Sequence, residues 1–196
     1  MKLVKTILLI VITIVFVSAS IDSQNKYILM NDYTVTIKGT SNLHDWNEKV
    51  QIVSGNGAVT QNADGSFNLD GISIRMKVNS IKSGEGSIMD NKTYSALKAD
   101  SYPEIIFTLT APVKSISSSA EKIIFAKGNL TIAGVTKSVD MQVKVWMKES
   151  GKLTFQGAQI IKMSDYNISP PSALFGTLKT GNELTIDFKT NFTITK

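Results

Sequence analysis

Few residues in this sequence are candidates for catalysis, and the first of them is the single histidine, His44. Asp45 follows it and Ser41 lies three residues before it, so a general base and a serine nucleophile share one short segment. Adjacent residues of a strand point to opposite faces, however, so Asp45 is poorly placed to orient the imidazole. No G-x-S-x-G elbow occurs either. We therefore predict no catalytic residues. We favour a histidine bonded to backbone at the rim of a sheet, with a polar contact to a ligand as the alternative.

Metal and phosphate sites have equally little support. One histidine and no cysteine cannot build a tetrahedral zinc site. The acidic loop at residues 64–71 (DGSFNLDG) lacks the ligand spacing and the terminal glutamate of a calcium loop. No glycine-rich phosphate loop is present. The sequence therefore predicts no metal, and the lack of cysteine also excludes disulfides and a lipid-modified N-terminal cysteine.

The first 20 residues have the pattern of a secretory signal. Lys2 and Lys5 precede an apolar run over residues 7–17, and small residues follow it. That run is shorter than the roughly 20 residues that span a bilayer. We predict a signal peptide over residues 1–19, cleaved near Ala19 or Ser20, and export to the periplasm or the medium. An uncleaved anchor is the alternative. No second run of spanning length follows, so we predict no stable membrane insertion after cleavage.

The positive charge of the chain is dispersed. Removal of residues 1–19 takes away two lysines and lowers the net charge from +5 to about +3. The remaining lysines are scattered, and Arg75 is the one arginine. Nucleic-acid binding usually needs a basic stripe with arginine forks, so we predict no nucleic-acid partner.

Most of the remaining chain alternates apolar and polar residues with a period of two. The pattern is clear at residues 72–79, 139–147 and 184–194 and weaker at 33–37, 105–109 and 153–155. Side chains of a strand point alternately to opposite faces, so each segment predicts a strand with one buried face. Turn residues such as Asn56-Gly57 and Ser150-Gly151 separate the segments. Six to eight such strands predict an all-β fold, either an antiparallel sandwich or a closed barrel.

Two segments depart from this alternation. Residues 87–99 have helical spacing and predict one short helix, capped by Ser87 or Asp90 and stopped by the run at residues 100–103. Residues 164–177 contain Pro170-Pro171 and cannot form a central strand. They predict a long connection with a short helical turn at residues 172–175.

The apolar side chains on the predicted inward faces are compatible with two kinds of barrel interior. A barrel of about eight strands holds either its own side chains or one small ligand. Periodicity does not distinguish a dry packed core from an apolar ligand cavity. The residues that would suit a cavity are Met76, Phe107, Met141, Phe155 and Phe188.

Four segments, in order, carry a resemblance to a known family. They are residues 39–46 (GTSNLHDW), residues 89–107 (with MDNKTYSALKA and YPEIIF), residues 128–137 (GNLTIAGVTK) and residues 163–183 (with Pro170-Pro171 and Phe175-Gly176). The third matches the pattern G-x-L-T-I-x-G-V-T-K and is the most specific. Together they span about residues 33–194, and the chain resembles the YceI family of secreted bacterial proteins.

The resemblance implies a fold and a function. The fold is an extended, lipocalin-like, eight-stranded antiparallel β-barrel with one short helix inserted, here over residues 20–196. The function is that of a non-enzymatic carrier or storage protein, whose tunnel binds a polyisoprenoid, an isoprenoid quinone or a fatty-acyl derivative. Such a lipid or quinone would be the only bound group, and a homodimer stays open. The alternative is a packed barrel that acts as a protein-interaction or envelope-stress module without a ligand.

The resemblance also places residues around the tunnel. The helix is expected to meet the barrel at Tyr94, Leu97 and Phe107, and the Pro-Pro connection to border a tunnel mouth with Tyr166 and Phe175. Trp46 and His44 are expected near the opposite end of the first hairpin. The ligand-binding residues that we predict are Trp46, Tyr94, Leu97, Phe107, Met141, Phe155, Tyr166 and Phe175.

Overall fold

Strands make up nearly all of the regular structure. The structure, a computed structural model, describes residues 24–148, 150–173 and 177–195, so the predicted signal at residues 1–19 lies outside the described residues. The strands are β1 (Gln24–Leu29), β2 (Thr34–Ser41), β3 (Trp46–Val50), β4 (Val53–Gln61), β5 (Ser66–Lys77), β6 (Ile81–Lys82), β7 (Glu104–Leu109), β8 (Val113–Ser117), β9 (Lys122–Ile132), β10 (Val135–Met147), β11 (Leu153–Lys162), β12 (Ser172–Ala173) and β13 (Leu178–Ile194). One helix, α1 (Ser87–Ala96), lies between β6 and β7. Across these described ranges, no helix is long and apolar enough to cross a membrane.

Eight of the strands close into a barrel. They run in the order β1-β4-β5-β7-β9-β10-β11-β13, and β1 pairs back onto β13 through Tyr27↔Ile194 and Leu29↔Phe192. Every pairing is antiparallel. The predicted eight-stranded antiparallel barrel is therefore confirmed, and the sandwich is excluded.

Three strands of the barrel wall are interrupted, so that β1 is followed by β2, β4 is preceded by β3, and β5 is followed by β6. β1 and β2 follow one another along the same edge of β13. β4 pairs with β1 and β5, while β3 pairs with β2 and β6. The wall is therefore extended at one end by β2, β3 and β6. The pairing of this extension ends at β6, and α1 follows β6 in the chain.

Side chains bridge the interruptions. The Tyr33 hydroxyl, between β1 and β2, donates to the Gln51 carbonyl at 2.8 Å and accepts from the Val53 N–H at 3.0 Å. The Ser80 hydroxyl accepts from the Ile52 N–H at 2.9 Å. Backbone groups that lose their strand partner in the interior must find another one, and these two hydroxyls supply it.

The helix is shorter than predicted. It ends at Ala96 because Lys98 adopts a left-handed backbone (φ 53°). The Lys98 N–H donates to the Ser95 carbonyl and the Ala99 N–H to the Tyr94 carbonyl. This pair of bonds is a Schellman motif, which satisfies the last carbonyls of a helix.

The predicted caps of the helix are wrong. Gly86 (φ 93°) precedes the first turn, and no side chain caps it. Ser87 is already helical. The Asp90 carboxylate makes no capping bond and accepts hydrogen bonds from the N–H and the hydroxyl of Ser83.

The connection around Pro170-Pro171 also differs from its prediction. A 3-10 turn occurs earlier than expected, at Met163–Tyr166. Ser172–Ala173 are extended rather than helical, and they pair with Lys179 and Leu178. The Thr180 N–H donates to the Pro171 carbonyl, so the segment after the prolines adds a short strand to β13.

Two clusters of buried apolar side chains fill much of the interior. One surrounds Phe67, Val145 and Phe192, where β1 closes onto β13. The other includes Ile81 and Ile132, toward the end that carries α1. Partly buried side chains pack against both clusters, namely Leu29, Ile74, Met141 and Phe188.

Candidate functional site

The barrel contains a cavity at the end that carries α1. This outer cavity has a volume of about 450 Å³, within the range of small-molecule sites. Its walls are supplied by the β2–β3 loop with the start of β3, by the segment from Ser83 to Leu97 that includes α1, by the connection between β11 and β13, and by inward-facing residues of the surrounding strands. The lining is mostly apolar, and includes Ile37, Ile105, Ile161, Met163, Leu184 and Ile186.

A second cavity lies deeper in the barrel. This inner cavity measures about 100 Å³, and its lining is apolar apart from Gln159 and Thr190. Ile186 lines both cavities. All five side chains that the alternation singled out as suited to a cavity line the inner one, namely Met76, Phe107, Met141, Phe155 and Phe188.

The cavities leave inward-facing apolar side chains incompletely covered. Ile74, Phe107 and Phe188 point into the barrel, yet each is only partly buried. Protein cores are normally packed without voids of this size. The interior therefore combines the two possibilities that the sequence left open, with packed clusters of buried side chains and with cavities between them and toward α1.

Six of the eight predicted ligand-binding residues border a cavity. Trp46, Leu97 and Tyr166 line the outer cavity, and Phe107, Met141 and Phe155 line the inner one. Tyr94 packs against the core on α1, where its hydroxyl donates to the Ile81 carbonyl at 2.8 Å. Phe175 lies outside the described residues.

Trp46 and His44 are not opposite the Pro-Pro connection as expected. Both line the outer cavity together with Tyr166 and Pro171. The Asn42 side chain explains this placement, because its amide donates to the Thr177 carbonyl at 2.7 Å and its oxygen accepts from the Lys179 N–H at 2.9 Å. These bonds tie the β2–β3 loop to the start of β13.

The side chains of Ser41 and His44 bond to backbone groups close to them in the chain. The Ser41 hydroxyl donates to the His44 carbonyl at 2.8 Å and accepts from the Leu43 and His44 N–H groups. His44 Nδ1 lies 2.7 Å from the Asp45 carbonyl oxygen. His44 is thus bonded to backbone at the rim of the cavity, as favoured above, and its side chain also borders the cavity.

One carboxyl group in the wall of the outer cavity was not predicted from the sequence. Glu48 is only 5% exposed and lines the outer cavity. Its Oε1 accepts a hydrogen bond from the Thr93 hydroxyl on α1 at 2.6 Å. Burial raises the pKa of the Glu48 carboxyl, the Thr93 bond opposes that rise, and the nearby negative charge of Asp90 adds to it. The sequence did contain a signal for Glu48, because the alternation from Trp46 to Val50 places this charged residue on an otherwise apolar face of the strand.

A polar network fastens α1 over this end of the barrel. Asp90 is buried and bonds to the Ser83 N–H and to Lys82 Nζ, each at 2.9 Å. The Ser83 N–H and the Lys82 ammonium hold the pKa of the Asp90 carboxyl below its usual range. Lys82 Nζ also donates to the Tyr94 hydroxyl at 2.8 Å. The helix wall of the outer cavity is therefore fixed by charge-assisted bonds to β6 and the loop after it.

In the part of the chain that the structure describes, no three His, Asp or Glu side chains come close enough to hold a metal ion.

Comparisons with known proteins agree with this architecture. The family model for the YceI-like domain matches residues 20–192. A comparison with curated protein sequences finds no match.

Solved structures share the fold at low sequence identity. A polyisoprenoid-binding domain from Saccharophagus degradans superposes with a TM-score of 0.69 at 15% identity, over 86% of this chain and 98% of its own. Burkholderia cenocepacia BcnA gives 0.63 at 18% identity, over 81% and 95%. The Campylobacter jejuni YceI protein gives 0.55 at 20% identity, over 76% and 84%. With the family model matched over most of its length, the chain belongs to the family of YceI-like domain proteins.

Proposed function

We propose that this protein binds a long apolar lipid inside its barrel and acts as a carrier or store rather than as an enzyme. The observation that carries the proposal is the pair of cavities inside a closed wall, which share Ile186 as a lining residue. Apolar surface left facing water costs about 25 cal/mol per Å². A lipid tail along Phe107, Met141 and Phe188 would remove such surface from the tail and from the protein at once.

The polyisoprenoid-binding domain with the same fold supports the ligand class. A polyisoprenoid, an isoprenoid quinone and a fatty-acyl chain each offer a flexible apolar tail that fits a narrow channel. Met76 and Met141 in the inner lining suit such ligands, because an unbranched thioether side chain adapts to irregular shapes.

We also propose that the chain is exported, with its signal removed near residue 19. The support is the charged, apolar and small-residue order of residues 1–20. Expression from its own signal, followed by cell fractionation and intact-mass measurement, tests this proposal. A chain that keeps residues 1–19 would contradict it.

The lipid proposal is tested on the protein itself. The chain is expressed with its signal, purified without detergent and extracted for lipid mass spectrometry, and the delipidated protein is then titrated with oleyl alcohol and with farnesol. We expect a co-purified apolar lipid at near one per chain and saturable rebinding of at least one tail type. A clean extract together with no rebinding would overturn the proposal in favour of a barrel that acts through its surface.

A further inference from the structure

Glu48 is a carboxyl group at a position where the barrel otherwise places apolar side chains. It points inward from β3 between Trp46 and Val50, and it is opposite the buried Ile37 on β2. Burial of an ionisable side chain is costly unless it is bonded. A structural role alone would require both of its oxygens to be satisfied by the protein.

Only one oxygen of this carboxyl is satisfied by the protein. Oε1 accepts from the Thr93 hydroxyl at 2.6 Å, and within the described ranges Oε2 has no hydrogen-bond partner. The atom is also not enclosed, because the sole fully enclosed side-chain oxygen or nitrogen without a partner among the described residues is Tyr27 Oη. With the residue 5% exposed and in the cavity lining, Oε2 faces the outer cavity.

The charges around the cavity are unlike those of the whole chain. The lining holds three carboxyl side chains, Asp45, Glu48 and Glu85, against one lysine, Lys92, although the chain as a whole carries a net charge of +5. The other titratable groups of the lining are His44 and Tyr166.

The one arginine of the sequence, which could bind a phosphate, does not line the outer cavity. Arg75 lies on the exposed face of β5, where Glu104 binds it at 3.0 Å. Planar guanidinium forks are the usual partners of phosphate and carboxylate heads. A carboxylate or phosphate placed beside Glu48 would instead meet a like charge.

We propose that Glu48 binds the polar head of the lipid by accepting a hydrogen bond at Oε2 from an uncharged donor such as a hydroxyl, and that it selects against lipids with a carboxylate or phosphate head. The assignment rests on the proposed function, since it presupposes a tail in the barrel. It makes Thr93 a positioning residue, because its hydroxyl holds the other carboxyl oxygen.

The test compares lipids that have the same tail but different polar head groups. Delipidated protein at pH 8 is titrated, by displacement of a fluorescent fatty-acid probe, with oleyl alcohol against oleate and with farnesol against farnesyl phosphate. We expect each alcohol to bind about tenfold more tightly than its anionic counterpart, the ratio that one hydrogen bond to a charged group supplies. Glu48→Gln, which keeps the shape but presents an amide donor, should bring both ratios close to one.

Glu183→Gln is the matched control. Glu183 is exposed on β13 and does not line the outer cavity, so the substitution removes the same charge and should leave both ratios unchanged. Thr93→Val should lower the ratios by a smaller factor than Glu48→Gln.

The results separate this assignment from the function on which it rests. Equal binding of alcohol and anion to the unmodified protein would leave lipid binding intact and overturn the role of Glu48, whether or not the variants fold. An equal change of ratio in Glu183→Gln would overturn it too, since it would show a long-range effect of net charge. If none of the four ligands binds, lipid binding fails and this assignment fails with it.

Discussion

The ring of Phe107 on β7 lies over Gly128 on the neighbouring strand β9, in the space that a β-carbon at residue 128 would occupy. Leu109, not Phe107, is the direct cross-strand partner of Gly128, so the ring reaches diagonally across the pair. Phe107 also lines the inner cavity. The glycine therefore lets the ring lie against the wall of the barrel instead of filling the channel.

Replacement of this glycine should destabilise the fold. A methyl group in Gly128→Ala overlaps the ring and the Thr108 carbonyl, and such overpacking costs about 1–3 kcal/mol. Chemical denaturation measures the change in the free energy of unfolding. Gly71→Ala on β5 is the control, because nothing lies within 4 Å of the added carbon, and it should change stability by less than about 1 kcal/mol. Equal losses in the two variants would contradict this account of Gly128.

Ile186 should control how long a tail the barrel accepts. Because Ile186 lines both cavities, the larger ring in Ile186→Trp would fill space between them and, if they form one channel, keep a tail out of the inner one. Exclusion of even two methylene groups costs about 1.6 kcal/mol, or about tenfold in affinity. We expect a loss of at least that size for oleyl alcohol and a much smaller one for octanol, measured by probe displacement.

Ile160→Trp supplies the control for that experiment. Ile160 is on β11 with its side chain 58% exposed on the outside of the barrel, so the same large ring there should leave both affinities unchanged. A similar loss for octanol and oleyl alcohol in Ile186→Trp would show that the two cavities do not form one channel.

Several strands were predictable from the sequence because their signals are local. Period-two alternation identified β5, β7, β10, β11 and β13, and it placed Met76, Phe107 and Met141 on the inward face correctly. The same alternation left a sandwich or a barrel open, and the eight-stranded barrel was implied only by the family resemblance. The interruptions were not predictable, since they depend on contacts across the sheet. The Tyr33 hydroxyl bonds to Gln51 and Val53, and nothing in the neighbourhood of Tyr33 in the sequence indicates that partnership.

The site was only partly predictable for the same reason. Trp46 and Tyr166 share a cavity because Asn42 bonds to backbone more than 130 residues away, a relationship that no local pattern carries. The volume left inside the barrel is set by the packing of all eight strands at once. Glu48, in contrast, could have been found, because it interrupts an otherwise apolar face of β3.

The buried hydroxyl of Tyr27 should reduce the stability of the protein. Tyr27 is 2% exposed and its hydroxyl has no partner among the described residues. An unsatisfied buried hydroxyl costs about 1–3 kcal/mol, so Tyr27→Phe should raise the free energy of unfolding by about 1 kcal/mol or more. Tyr33→Phe is the contrast, since its hydroxyl makes two backbone bonds and its loss should destabilise by about 1–3 kcal/mol. A destabilised Tyr27→Phe would show that the hydroxyl has a partner.

Glu48 should make stability fall as the pH rises from acid toward neutral. Burial raises the pKa of its carboxyl above the ordinary value of 4.5, so between 4.5 and the raised value the folded chain keeps a proton that the unfolded chain has released. Under that condition stability decreases with pH. Glu48→Gln has no such proton, and it should be more stable than the unmodified protein at pH 7 and similar to it near pH 4.

Denaturation midpoints of the two proteins from pH 4 to pH 8 measure this difference. Asp90 acts in the opposite direction, because the Ser83 N–H holds its pKa below the ordinary 3.8, and the stability that it contributes is lost only as the pH falls through that lower pKa. Because its pKa lies below 3.8, Asp90 stays largely ionised from pH 4 to pH 8 in both proteins and does not account for a pH-dependent difference between them. Two curves that stay parallel from pH 4 to pH 8 would show that Glu48 ionises in the folded protein as freely as in the unfolded chain. A gap that opens as the pH rises would show that burial in the folded protein disfavours the ionised form of Glu48.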